Sequence, residues 1–365
     1  ISGLTGTGFS IFKNIKYLDP TLILWRSSSQ WIGGLFFLFF LIIIFSNRSF
    51  NYKMTNFTYS GDNNFNSEEN IKNNIFKIFI IYLILSIIIM ALLSFSGLRL
   101  FNSLNMSMTL VSGGGFLPTD NIIKIISTKF QKIIFIFSLF LSMFNFYLIL
   151  NLFNKKTLIK EHKEDLYLLI LSIIFCLLIY FNSYGGLDII ISVVSSLANS
   201  GLTLVKSENN LSLYFLFITV IGGSLISNTS GIKFTRFYIL LKITSSEIIK
   251  LISPNSVVNK TIYNSDKKIS DENVKISFLI FISFFLSLFI LSSLLVIDDI
   301  GFEKSFKLSI LTLMNTVNSS IYGLNEFNFN NLNFLIKYCL ILFMIIGRIE
   351  LLTILLLFKK FLFKS

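Results

Sequence analysis

Hydrophobic runs and polar connectors alternate along the whole chain of 365 residues. Seven runs approach the ~20 apolar residues that a membrane-spanning helix needs. They cover residues 29–46, 75–95, 130–153, 166–182, 212–227, 276–297 and 333–358, and the fifth continues as an amphipathic segment to about residue 250. Because the runs are continuous and lack a period of two, they predict helices rather than strands.

Two kinds of connector separate these runs. One kind is long and charged, and it covers residues 47–74, 154–165 and 253–275. The other kind begins with a semi-apolar segment too short to cross a bilayer and then turns through Gly, Ser, Thr and Asn. It occurs as NSLNMSMTLVSGGGFLPTDN, DIIISVVSSLANSGLTLVKS and EKSFKLSILTLMNTVNSSIYGLNE. Its recurrence predicts a repeated architecture.

The opening ISGLTGTGFS matches the end of such a unit, which gives four copies. Their centres fall at Gly8, Gly115, Gly201 and about Ser320. Each copy reads as span, short helix, small-residue loop and span, but the first copy lacks its leading span. If the four copies surround a central pore, that pore cannot seal without the missing helix. We therefore expect the given chain to be either a fragment or a defective product.

The predicted fold is an all-α integral membrane protein. Four pseudo-repeated units surround a central pore, and the first unit is incomplete. The units cover residues 1–74, 75–165, 166–273 and 274–365. Composition supports this class, because 53% of the residues are hydrophobic and only 14% are charged, which is too little charge to cover a soluble protein of this size.

The charges predict the orientation of the spans. Of the 31 Lys and Arg residues, seventeen lie on the side of the long connectors and eleven on the side of the small-residue loops. This excess places the long connectors in the cytoplasm and the small-residue loops outside, in a multi-pass protein of the cell membrane. The net charge of +12 is spread over loops, and no nucleic-acid module is visible.

Few residues suit chemical catalysis. His162 is the only histidine and lies in a charged stretch, while Cys176 and Cys339 lie inside apolar runs and are interpreted as inert helix residues. No H-E-x-x-H string and no Walker loop occurs, so the metal hydrolase and NTPase readings have no support. We predict no enzyme activity and no organic cofactor.

The small-residue loops suit the binding of a monovalent cation. Irregular backbone at membrane depth persists only where it is buried in protein or faces water. Four such loops around one axis could replace the hydration shell of a cation with carbonyl and hydroxyl oxygens, and the C-terminal ends of the short helices would favour positive charge there. The loop cores contain no Asp or Glu, which disfavours a divalent site. One such loop alone would be an ordinary turn; the recurrence favours a pore.

Several strings resemble the Trk/Ktr/HKT superfamily of potassium transporters, whose members contain four span–pore-helix–span repeats. SGLTGTGFS followed by LWRSSSQWIGG resembles the first filter and the next helix, and SGGGF and LANSGL resemble the second and third filters. GGSLISNTSGIKFTRFYILLK resembles a glycine-rich break in the third repeat, and FMIIGRIELLTILLLF resembles the closing helix. The resemblance covers essentially the whole chain.

The resemblance implies a K⁺ filter made by the four loops. In the fourth loop the superfamily usually has glycine within an N-x-G-P-G-like string, whereas this chain reads NTVNSSIYGLNE. The position of that glycine falls on Ser320, or on Ser319 if the register slips by one residue. In plant members, serine in place of the glycine of the first filter accompanies a shift toward sodium, whereas here the serine is aligned with the fourth filter. The predicted filter residues are Thr7, Gly8, Ser112, Gly113, Gly114, Gly115, Asn199, Ser200, Gly201, Asn318, Ser319 and Ser320.

The resemblance also implies a gate below the filter, formed by an intramembrane loop at about residues 222–231. Its predicted residues are Gly222, Gly223, Ser227, Asn228, Thr229, Ser230 and Gly231. Arg348 would hold this loop closed through its carbonyls or Asn228 and would raise the barrier for cations. The alternatives are a cytoplasmic loop between two helices and, for Arg348, a structural ion pair.

Four polar residues near these elements receive narrower predictions. Lys233 and Arg236 follow the break, and we favour snorkelling to the cytoplasmic interface over a role in anchoring the loop or contacting a regulatory partner. Arg26 and Gln30 lie four residues apart on one helix face, and we expect them to brace the first filter from behind.

The resemblance implies channel-like uptake of K⁺ across the cell membrane. It also implies a homodimer in membrane lipid and a cytosolic nucleotide-binding regulatory subunit. Three alternatives remain: a sodium-permeable or sodium-coupled member of the same superfamily, a secondary solute transporter that uses broken helices, and a non-conducting remnant.

Overall fold

The computed structural model describes residues 1–12, 14–46, 68–119, 122–153, 163–180, 186–205, 211–254, 260–263, 268–324 and 327–349. Within these ranges the regular structure is helical, apart from one isolated antiparallel bridge between Thr261 and Lys268. The α-helices are α1 Pro20–Ser46, α2 Glu68–Phe95, α3 Leu100–Val111, α4 Lys129–Met143, α5 Phe146–Phe153, α6 Lys163–Tyr180, α7 Gly186–Leu197, α8 Ser212–Ile221, α9 Phe234–Ile252, α10 Asp271–Ile297, α11 Phe302–Leu313 and α12 Phe334–Ile349. Short 3₁₀ helices cover Ile15–Tyr17, Ile122–Lys124, Ser320–Tyr322 and Phe329–Asn331.

The long helices have the surface of a protein that lies in lipid. In the described residues, three segments are long and apolar enough to cross a membrane: Pro20–Ile43, Lys72–Phe95 and Asp271–Ile297. Their outer faces expose large apolar side chains, such as Ile87 on α2 and Phe289 on α10. Polar side chains such as Ser200 and Asn228 are fully buried instead. This distribution fits an all-helical membrane protein.

The three short helices predicted before the small-residue loops are present, and none of them is long enough to span the bilayer. α3, α7 and α11 each contain 12 residues, which corresponds to a length of about 18 Å against a hydrocarbon core of about 30 Å. Each of them ends directly before one of the small-residue loops. Several of their buried Ser and Thr hydroxyls, such as that of Ser309, donate to a carbonyl one turn earlier in the same helix (Ser305 O, 2.7 Å), so these hydroxyls need no partner outside the helix.

The three 12-residue helices pack against neighbouring helices in chain order. α1 packs against α3, α4 packs against α7, and α8 packs against α11. Each short helix also packs against the long helix before it, as α11 does against α10. The four small-residue loops are therefore brought to the middle of the molecule.

The predicted continuous helix over residues 130–153 is wrong, because α4 ends at Met143 and α5 begins at Phe146. Groups distant in sequence satisfy the freed backbone amides. The backbone amide of Asn145 donates to the Asp165 carboxylate at 3.0 Å, and the backbone amide of Phe146 donates to Ile226 O at 2.9 Å. The break after α8 lies where the sequence predicts it, since α8 ends at Ile221 and α9 begins only at Phe234.

Candidate functional site

The four small-residue loops share one backbone pattern. In each loop a residue in the left-handed region donates its amide to the carbonyl three residues earlier, and this conformation favours glycine and asparagine. The pairs are Gly6 with Gly3 (φ 76°, 2.9 Å), Gly113 with Leu110 (67°, 3.2 Å), Asn199 with Ser196 (55°, 3.2 Å) and Asn315 with Thr312 (49°, 3.2 Å). We name residues 3–8, 110–115, 196–201 and 312–317 loops 1 to 4.

A second shared hydrogen bond fixes the register of the last three loops. The amide that follows the left-handed residue donates five residues back, from Gly114 to Thr109 O (2.8 Å), from Ser200 to Ser195 O (3.0 Å) and from Thr316 to Leu311 O (2.9 Å). Two residues after the left-handed position, the loops therefore carry Gly8, Gly115, Gly201 and Val317.

These four positions converge on one place. A Cβ atom built on Gly115 would lie 2.7 Å from Ser200 O, and one built on Gly201 would lie 2.6 Å from Val317 O. A Cβ atom on Gly8 would lie 2.8 Å from Val317 Cγ2 and 3.6 Å from the carbonyl carbon of Gly115. Each loop thus touches the next, and the fourth touches the first.

Thr7 and Asn315 join loop 1 to loop 4. The Thr7 hydroxyl lies 2.7 Å from the Asn315 amide group and 2.8 Å from the Thr5 hydroxyl. The Asn315 amide group also lies 3.0 Å from Ser230 Oγ, 3.0 Å from Met344 O and 2.9 Å from the Arg348 backbone amide. Asn315, which is not among the residues predicted from the sequence, connects loops 1 and 4 to α12 and to the segment between α8 and α9.

Loop 2 is supported from behind by α1. The Phe116 amide donates to Gln30 Oε1 at 3.1 Å, and a Cβ on Gly114 would lie 2.4 Å from the Gln30 amide. The Arg26 guanidinium lies 4.3 Å from the Phe116 ring centre and donates to Ser10 Oγ at 3.3 Å. The predicted brace is therefore present, but Gln30 supports loop 2 and only Arg26 reaches the segment that follows loop 1.

Loop 3 is fixed by its own polar side chains. The side-chain amide of Asn199 donates to Thr219 O at 3.0 Å and to the Thr316 hydroxyl at 3.4 Å, so it connects loop 3 to α8 and to loop 4. The Ser200 hydroxyl lies 2.9 Å from the Ser195 hydroxyl. Asn199 and Ser200 therefore point their side chains into the surrounding protein.

Residues 222–231 form a loop that is buried almost throughout, between α8 and α9. We name it the inner loop. Lys233 is fully buried with a φ of 71°, and its ammonium donates to Thr229 O at 2.5 Å and to Ser227 O at 3.3 Å. The favoured prediction that Lys233 snorkels to the interface is wrong, because the loop carbonyls satisfy its charge inside the protein. Arg236 is fully buried as well.

The inner loop lies directly against loop 2 and Arg348. The Asn228 side chain donates to Val111 O, the last helical residue of α3, at 2.8 Å. Arg348 Nη1 donates to Asn228 O at 2.9 Å and to Ser230 Oγ at 3.4 Å. The guanidinium also lies 4.3 Å from the Phe37 ring centre. The contact predicted between Arg348 and Asn228 is thus present, while its role in gating stays a prediction.

Other contacts hold the inner loop from below. The Leu225 amide donates to the Glu164 carboxylate at 3.0 Å, and the Thr235 hydroxyl donates to the same oxygen. The Ser224 amide donates to Met143 O at 3.0 Å, where α4 ends. Gly223 and Thr229 close the loop on itself, because the Gly223 amide donates to the Thr229 hydroxyl at 3.0 Å. The two broken helices therefore stabilise each other.

Known proteins share this architecture. No protein-family model matches the chain. An uncharacterized cation transporter of Methanocaldococcus jannaschii, MJ1485, is 26% identical over 391 residues, which cover the whole chain and 76% of that protein. The Trk system potassium uptake proteins TrkG and TrkH of Escherichia coli K12 are 25% and 24% identical, over 100% and 98% of the chain and 78% and 77% of their own lengths.

The crystal structure of the potassium transporter TrkH from Vibrio parahaemolyticus has the same fold, with a TM-score of 0.84 over 98% of this chain and 76% of that one, at 20% identity. The chain therefore resembles Trk-type potassium transporters in sequence over its whole length and in fold. It is accordingly a membrane transport protein and not an enzyme.

The fourth loop departs from the register predicted for it. Ser319 and Ser320 do not take the position that corresponds to Gly8, Gly115 and Gly201, because Ser320 begins a 3₁₀ helix and its hydroxyl donates to Val205 O at 3.0 Å. Asn318 donates its side chain to Leu324 O at 2.7 Å. The prediction is wrong because the fourth loop has a valine, and not a small residue, at this position. Loops 3 and 4 instead share an asparagine in the left-handed conformation two residues earlier, in Asn199-Ser200-Gly201 and Asn315-Thr316-Val317.

Proposed function

We propose that the chain carries K⁺ through the cell membrane along the axis of loops 1 to 4, with residues 1–74, 75–165, 166–273 and 274–365 as the four units and the inner loop as the gate. The observation that carries the proposal is the convergence of Gly8, Gly115 and Gly201 on one place. Backbone oxygens of such loops can replace the hydration shell of a cation, and the membrane potential supplies about 2.3 kcal/mol per charge per 100 mV.

Two further features support a cation rather than an anion. The short helices α3, α7 and α11 end at loops 2 to 4, so the partial negative charge of each C-terminal end lies beside the axis. Two of the relatives above are named potassium uptake proteins. Below the loops, the Arg348 guanidinium is bound to the inner loop at Asn228 O, where its charge would oppose cation passage while the gate is closed.

The proposal extends to assembly by the superfamily resemblance. We expect a homodimer in the lipid bilayer and a cytosolic subunit that binds a nucleotide. Size-exclusion chromatography with light scattering on the detergent-solubilised protein measures the first, and a monomer would contradict it.

Substitution of Gly115 tests the transport path. In proteoliposomes loaded with K⁺, we expect the chain to take up ⁸⁶Rb⁺ above the rate of empty vesicles. Gly115→Ala should reduce uptake by about ten-fold or more, since its Cβ would lie 2.5 Å from Val317 Cβ and such overpacking costs about 1–3 kcal/mol. Gly186→Ala is the matched control, because nothing lies within 4 Å of a Cβ at that position.

The same vesicles distinguish the alternatives. Competition of ⁸⁶Rb⁺ uptake by K⁺ but not by Na⁺ supports potassium transport, whereas equal competition supports the sodium-permeable alternative. Uptake that is unchanged by Gly115→Ala, in a variant that elutes from size-exclusion chromatography like the wild type, would refute the proposed path.

A further inference from the structure

Val317 of loop 4 carries a side chain at the loop position where loops 1 to 3 have a glycine. A Cβ atom built on Gly8 would lie 2.8 Å from Val317 Cγ2, and one built on Gly115 would lie 2.5 Å from Val317 Cβ. A Cβ atom on Gly201 would lie 2.9 Å from Val317 Cγ1. The isopropyl group of this single residue therefore touches the glycines of all three other loops.

The contact with Gly115 places the isopropyl group across the axis. The chain-order packing of α1 on α3, α4 on α7 and α8 on α11 makes loops 1 and 3 the neighbours of loop 2. Loop 1 and loop 3 also touch loop 4, through Gly8 and Gly201. Loop 4 consequently lies opposite loop 2. A side chain of loop 4 that reaches loop 2 must cross the space between them.

Nothing in the local backbone requires or forbids a valine. Val317 does not adopt a positive φ, so a β-branched residue fits its conformation without strain. Its methyl groups offer no oxygen to a cation, and an apolar constriction in a narrow path opposes both water and ions. The backbone would accept glycine equally well, which makes the side chain separable from the loop that carries it.

We propose that the Val317 side chain is an apolar constriction that limits cation passage through this chain. The inference rests on the proposed transport path and adds the residue that restricts it. A cation passes only when the isopropyl group leaves the axis or is removed, so Val317 sets the conductance of the path independently of the gate formed by the inner loop.

Removal of the side chain tests this proposal by flux. In the ⁸⁶Rb⁺ assay, V317G should exceed the wild type by about ten-fold, which corresponds to about 1.4 kcal/mol of barrier height, and V317A should lie between them. V193A is the control, because Val193 is a fully buried valine of α7 and is not among the nearest neighbours of a Cβ atom built on Gly8, Gly115 or Gly201. A V317G flux equal to or below that of the wild type, with an unchanged elution profile, overturns the proposal.

A chemical readout separates this proposal from the transport function itself. We would introduce V317C after replacing Cys176 and Cys339 by serine, and then add a membrane-impermeant cationic thiol reagent from outside. The proposal expects modification that K⁺ slows and choline does not. A thiol that does not react, or reacts equally fast in both salts, overturns it. K⁺-protected modification without ⁸⁶Rb⁺ flux in any variant would instead support the placement of Val317 and refute the transport function.

Discussion

The substitution Arg348→Ala should destabilise the closed state of the gate and raise ⁸⁶Rb⁺ uptake. The guanidinium makes one hydrogen bond of 2.9 Å to Asn228 O and lies over the Phe37 ring at 4.3 Å. A hydrogen bond to a charged group contributes about 1.5–3 kcal/mol, and a partly buried cation–π contact contributes about 0.5–2 kcal/mol. If the inner loop leaves these groups when it opens, their loss removes stabilisation from the closed state alone.

The expected shift follows from these values. A net loss of about 2 kcal/mol raises the open-to-closed ratio by about thirty-fold. The removal of a positive charge beside the path acts in the same direction. Arg348→Lys keeps the charge but not the planar donor group, so it should give a smaller increase than Arg348→Ala.

The assay must account for two constrictions in series. We would measure ⁸⁶Rb⁺ uptake in the wild-type and V317G backgrounds, because Val317 would mask a wider gate. Lys337→Ala is the control, since it removes a cation of the same helix whose ammonium donates to Asn330 O at 3.0 Å, away from the inner loop. In the V317G background, an Arg348→Ala flux equal to or below that of V317G itself would refute the reasoning.

Two further predictions concern the supports of the loops. Lys233→Met should raise uptake of ⁸⁶Rb⁺ and lower the midpoint of thermal unfolding in detergent. The reason is that the carbonyls of Ser227 and Thr229 lose their donor, at a cost of about 1–3 kcal/mol each. If both values are unchanged, Lys233 does not hold the inner loop in place. Gln30→Leu should reduce ⁸⁶Rb⁺ uptake, because the buried Phe116 amide loses its acceptor, and a wild-type rate in this variant would show that loop 2 does not depend on α1.

Features that depend on local sequence were predictable. The three 12-residue helices and the break after Ile221 lie where the apolar runs stop and Gly, Ser and Asn begin. The contact between Arg348 and Asn228 was also expected, but from the resemblance to the Trk/Ktr/HKT superfamily and not from the local pattern. The register of loops 2 and 3 followed from their glycines.

Features that depend on distant residues were not predictable. The break at Asn145 contains neither Gly nor Pro, and it is stabilised by Asp165 and Ile226, which are 20 and 81 residues away in sequence. Lys233 is buried because the folded inner loop turns carbonyls toward it, and no pattern around the lysine shows this. Val317 escaped notice because an isolated valine in an apolar chain carries no signal until its neighbours are known.

The central claim is that four backbone loops meet around one bound alkali ion. Anomalous diffraction from crystals of the protein grown with Tl⁺, a K⁺ substitute with a strong anomalous signal, tests it most directly. The account predicts a peak enclosed by loops 1 to 4, which weakens when excess K⁺ is added. A peak only outside the ring of Gly8, Gly115, Gly201 and Val317, or no peak within the protein, would contradict it.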